Sequence, residues 1–138
     1  FNIIQALEFF KEFPESELWE IIRACIWQQF KAGAEIIVEG DIDDSFYIIT
    51  SGEVDVYKDN ALIGHLQTGD CFGEMSYLSK AKRTATITAK NEVDLMKINA
   101  TLIEQASIEC QLHFSRVFMQ TLVKRLSDTT AMYVSRED

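Results

Sequence analysis

Gly69-Asp70-Cys71-Phe72-Gly73-Glu74-Met75-Ser76-Tyr77-Leu78-Ser79-Lys80-Ala81-Lys82-Arg83-Thr84-Ala85-Thr86 lies between two stretches of β-type sequence, and its reading decides the fold. Gly73 permits close backbone approach, and Glu74 follows at once. Residues 74–78 suit a single helical turn, whose leading N–H groups lack an intrahelical partner and attract an anion. Arg83 then opens a strand, where its planar fork meets phosphate oxygens in pairs. A carboxylate beside an anion site makes sense for a ligand that also offers hydroxyls, as a ribose 2′-OH does. Phosphate and ribose on one short loop point to a nucleotide. Taken alone, Glu74 and Arg83 read equally as a surface ion pair worth under about 1 kcal/mol. The surroundings must therefore carry the argument.

Outward from this stretch, residues 30–99 hold all six glycines of the chain. Between them lie β-type segments: Glu35–Glu39, Phe46–Thr50, Glu53–Lys58, Ala61–Gln67, Thr84–Ala89 and Glu92–Ile98. Short strands broken by turn residues at this interval indicate an all-β roll or sandwich. Val54 and Val56 alternate with Asp55 and Tyr57, and Ala85, Ile87 and Ala89 alternate with Thr84, Thr86 and Thr88, so each series has one buried face.

Helical spacing flanks the roll. Leu7, Phe10 and Phe13 form one stripe; Leu18, Ile21, Ile22, Cys25 and Ile26 form another, after a break at Pro14 whose Glu15 and Glu17 suit a helix start. After Asn99 or Thr101 as a cap, a short helix runs to Ala106, and a longer one from about Ile108 to Val134 contains no Gly or Pro. Its positions Leu112, Ser115, Met119, Leu122, Leu126, Thr129 and Tyr133 follow a heptad. That seam either packs on the roll or pairs with a second copy. The expected architecture is mainly β with flanking helices: a double-stranded β-helix, or jelly-roll-like β-roll, with N-terminal helices over 1–29, the roll over 30–99, and a long C-terminal helix within 100–138, all in a single domain.

Bulk composition narrows the function. The 138 residues suffice for one core. Thirteen Lys and Arg against 22 Asp and Glu give a net charge of −9, a poor match for a nucleic-acid backbone. No stretch approaches the roughly 20 apolar residues of a membrane span. The start at Phe1 lacks Met and a basic, apolar leader, and reads as a piece of a longer protein or a chain with a disordered start rather than a secretion signal. Cys25, Cys71 and Cys110 are widely spaced and read as free thiols in a reducing, cytoplasmic setting. His65 and His113 stand far apart, which disfavours a metal site of the cupin sort.

With its surroundings, the central stretch resembles the cyclic-nucleotide-binding domain family, whose phosphate cassette runs roughly F-G-E-L-A-L, then P-R-A-A-T. Here the cassette spans 72–86 as Phe72-Gly73-Glu74-Met75-Ser76-Tyr77-Leu78 and Lys82-Arg83-Thr84-Ala85-Thr86. Residues 30–37, Glu39-Gly40-Asp41, Phe46-Tyr47-Ile48-Ile49 and Ser51-Gly52-Glu53-Val54 follow in the family's order. The resemblance implies that Glu74 accepts the ribose 2′-OH with the Gly73 amide beside it. It implies that Arg83 pairs with the phosphate oxygens, that the amides of Ser76 and Thr84 complete the cradle, and that Met75 lines it. Lys82 stands for the usual proline, Ser76 for alanine, and Asp43 for a turn glycine.

Lys124-Arg125-Leu126-Ser127-Asp128-Thr129-Thr130 is similar to a stretch of the bacterial catabolite activator family in which two hydroxyl residues contact adenine. By that likeness Thr129 meets the base within its own subunit and Thr130 across a homodimer through the C-terminal helix. This favours cAMP, although Thr84 also suits cGMP. The implied chain is no enzyme and needs no cofactor. It is a regulatory domain whose C-terminal helix moves with ligand, without nucleic acid or membrane as partner of this piece. The rival expectation is a degenerate domain of the same fold that acts by protein contact.

Overall fold

A computed structural model describes residues 7, 10–42, 45–73, 83 and 85–137; the side chains of 100, 102, 122 and 124–137 lie outside that set. Pro14, extended at φ −60° and ψ 153°, precedes helix α1 (Glu15–Ala24). Glu15 and Glu17 in its first turn and Arg23 in its last complement the helix dipole. The helix stops at Cys25, whose N–H still bonds to the Ile21 carbonyl, and strand β1 (Ile26–Phe30) begins at once. Helical spacing had placed residues to 29 in the N-terminal helices, so this is a correction. Ile26-Trp27-Gln28-Gln29-Phe30 is equally rich in β-formers, and its antiparallel partner β8 (Val93–Ile98) decides the matter, from Ile26 opposite Lys97 to Phe30 opposite Val93. A sheet partner outweighs local periodicity.

The remaining strands are β2 (Glu35–Ile37), β3 (Phe46–Ser51), β4 (Glu53–Lys58), β5 (Ala61–Gln67), β6 (Cys71–Phe72) and β7 (Thr86–Ala89). They form two four-stranded antiparallel sheets, in the orders β1-β8-β3-β6 and β2-β7-β4-β5. β4 and β5 have the limits expected from the sequence. β2 ends two residues early, and β7 starts at Thr86 instead of Thr84. The two-residue β6 is too short for any pattern to reveal; pairing with Tyr47 and Ile48 alone defines it.

Period-2 alternation divides the core in two. Tyr47, Ile49, Val93 and Leu95 point between the sheets, where they meet Val54, Ile87 and Ala89. Phe46, Ile48, Met96 and Ile98 point to the other side, against Phe10, Phe13, Leu18 and Ile21. Both faces of β3 are thus covered, which is why its sequence is a continuous apolar run.

Two C-terminal helices, α2 (Ala100–Ile103) and α3 (Ile108–Glu137), close the outer side. Phe46 meets Phe118 edge-on at 4.8 Å and Phe114 at 6.2 Å. Ser107 caps α3 by accepting the Cys110 N–H at 3.2 Å, while Glu20 of α1 accepts both the Ser107 amide (2.9 Å) and hydroxyl (2.8 Å). Glu17, buried, reaches His113 Nδ1 at 2.6 Å.

The face of α3 on the roll is Cys110, Phe114, Val117 and Phe118. The heptad positions Leu112, Ser115 and Met119 are exposed instead. The option that the seam packs on the roll is therefore overturned for these positions: one helix cannot turn both faces to the same surface, and the Phe side takes it. No helix among the described residues is long and apolar enough to cross a membrane.

Candidate functional site

Gly73 follows β6 with φ at +86°, a conformation that favours glycine. Its carbonyl accepts a bond from Arg83 Nη1 at 3.2 Å. The second guanidinium nitrogen, Nη2, donates to the Ser45 carbonyl at 2.7 Å. The structure thus brings together two of the residues singled out from sequence, although ten positions separate them.

The backbone of Arg83 is held as firmly. Its N–H donates to the Asp41 carbonyl at 2.8 Å, and its carbonyl accepts from the Gly40 N–H at 2.9 Å. Nearby, the Glu39 N–H bonds to Thr86 Oγ1 at 2.9 Å. The turn between β2 and β3 therefore clamps the segment that leads into β7. Arg83 stands in that clamp, three residues ahead of β7, where sequence reading had placed it at the strand's opening.

Arg83 is buried, at 5% exposure. A guanidinium at that depth costs several kcal/mol of desolvation unless hydrogen-bonded. Nη1 and Nη2 of the fork thus each meet a backbone carbonyl, of Gly73 and of Ser45. Its Cζ lies 5.9 Å from the centre of the Tyr47 ring, which is itself buried and stacked on Phe72 at 5.0 Å. Chemically, this is a buried cationic fork oriented by two backbone carbonyls beside Gly73.

Glu74, Met75, Ser76 and Thr84 lie outside the described residues, as does Asp43. Thr129 and Thr130 fall within α3, with their side chains outside the described set. Sequence reasoning missed Ser45, Tyr47 and Phe72 as neighbours of Arg83. Ser45 acts through its backbone carbonyl, which leaves no trace in residue type. Tyr47 reads only as a strand residue, and Phe72 only as the start of the cassette motif, until the pairing of β3 with β6 sets them side by side.

Residues 27–108 match the cyclic nucleotide-binding domain family. Among known proteins, a cGMP-dependent protein kinase of Toxoplasma gondii is 34% identical over 104 residues, covering 75% of this chain and 10% of the kinase. A cAMP-dependent protein kinase regulatory subunit of Eremothecium gossypii is 31% identical over 93 residues, covering 67% of this chain and 20% of that protein. The chain thus spans a fifth or less of these relatives. Among solved structures, the catabolite activator protein of Thermus thermophilus superposes with a TM-score of 0.77 at 20% identity, over 94% of this chain and 62% of that one. That last likeness concerns the fold.

Proposed function

This chain belongs to the cyclic nucleotide-binding domain family, and on that premise we propose that it is a non-catalytic sensor that binds cAMP in preference to cGMP. One observation carries the reading: the buried guanidinium of Arg83, oriented by Gly73 and Ser45 at the end of the cassette loop. In this reading Arg83 receives the exocyclic oxygens of the cyclic phosphate. Glu74 takes the ribose 2′-OH, and the backbone from Gly73 to Ser76, with Thr84, closes around the sugar-phosphate; Met75 lines it. Thr129 and Thr130 meet the base. The relatives include cGMP-dependent protein kinases and a cAMP-dependent protein kinase regulatory subunit, so the preference rests on the threonine pair in α3.

Binding acts by population shift. Ligand favours one placement of α3 against the roll, and each tenfold bias between placements requires about 1.4 kcal/mol of differential affinity. The exposed heptad face of α3 supplies a homodimer contact with a second copy, since Leu112 and Met119 are turned away from the roll and the spacing continues to Tyr133.

Calorimetric titration of cAMP and of cGMP into the wild type and an Arg83→Ala variant tests the site. A charge-assisted bond is worth roughly 1.5–3 kcal/mol, so the variant loses about ten- to hundred-fold in affinity. Equal affinity in the variant contradicts the assignment. Absence of heat with both nucleotides in the wild type favours instead a domain of this fold that acts by protein contact.

A further inference from the structure

The pairing registers set one row of side chains across the inward face of the first sheet: Ile26, Lys97, Tyr47 and Phe72, from β1 to β6. Lys97 is the charged member of that row. It is half-buried there. Its Nζ lies 5.9 Å from the centre of the Tyr47 ring, and Arg83 Cζ lies 5.9 Å from the same centre. Two cations thus converge on one buried ring, in a chain whose net charge is −9.

The ring's quadrupole offsets part of their mutual repulsion. An anionic ligand held by Arg83 would be attracted by the second positive charge as well as by the first. The ring also borders the cassette loop: its Cδ2 lies 3.5 Å from where a Cβ on Gly73 would stand. One buried ring therefore separates Lys97, on β8, from the Gly73 end of the cassette.

We propose that Lys97 is a further ligand-affinity determinant, supplying a second positive charge whose field acts on the anionic phosphate while Arg83 makes the direct contact. This rests on the cyclic-nucleotide reading above. The charge acts through space, so its effect is screened by salt, whereas a packing role is not.

Calorimetry of wild type, Lys97→Met, Lys97→Gln and Lys97→Arg with cAMP and with cGMP, at low and at high salt, tests this. The Met and Gln variants are expected to bind about 3- to 10-fold more weakly at low salt, with the gap closing at high salt. Lys97→Arg keeps wild-type affinity. Unchanged affinity in Met and Gln variants that remain folded overturns the proposal, as does a loss that is equal at both salt concentrations. If the wild type binds neither nucleotide, the functional reading fails and this proposal with it; if it binds and the variants do not differ, only this proposal fails.

Discussion

At Gly73 a Cβ would stand 2.8 Å from Arg83 Nη1 and 2.8 Å from the Ser45 carbonyl oxygen, while φ is +86°. Neither neighbour yields readily, because Nη1 donates to the Gly73 carbonyl and the Ser45 carbonyl accepts from Nη2. Gly73→Ala is therefore expected to cost about 1–3 kcal/mol of stability and to weaken cyclic-nucleotide binding by displacing the fork. A thermal-unfolding midpoint and a titration of the same variant check both parts; an unchanged midpoint with unchanged affinity contradicts them. At this scale the sequence was partly legible. Gly73 and Arg83 stood out because glycine and guanidinium each have a special chemistry. Ser45 did not, since what it contributes is a carbonyl that every residue possesses.

For the elements, contact between helices matters more than helix propensity. The first turn of α3 is held by Ser107, which caps Cys110 and is itself held by Glu20 of α1. Loss of that hydroxyl in Ser107→Ala is expected to cost about 1 kcal/mol and to speed amide exchange in the first turn of α3. Urea unfolding and hydrogen exchange measure the two effects, and a change in neither shows that the cap is idle. The limits of β4 and β5 were readable because turn residues bracket them: Ser51-Gly52, Asp59-Asn60 and Thr68-Gly69. β1 was not, because Ile22, Cys25 and Ile26 keep the spacing of a helix until β8 claims the last of them.

Across the whole molecule, two thiols report on the packing between helices and roll. Burial pushes the Cys25 thiol up to about 11. Burial first, and then the carboxylates of Glu20 and Glu17, push Cys110 up to about 12, against an ordinary value of 9.0. The folded state therefore holds these protons more tightly than the unfolded chain. Their contribution to stability is complete below about pH 9 and is lost as pH rises toward 11 and 12. Denaturation midpoints between pH 8 and 11 should fall more steeply in the wild type than in Cys110→Ala; parallel slopes refute this. The exposed face of α3 gives a second test at this scale. Sedimentation of the wild type should show a dimer that Leu112→Glu with Met119→Glu dissociates, whereas a monomeric wild type removes the proposed contact. By itself the sequence determined the β-roll and its flanking helices, because alternation, helical spacing and glycine corners are properties of local chemistry. Only the tertiary structure decided where β1 starts, which face of α3 meets the roll, and that Arg83, Tyr47 and Lys97 share one place. Those depend on pairing between strands distant in the chain, and no local pattern encodes which surface reaches the core first.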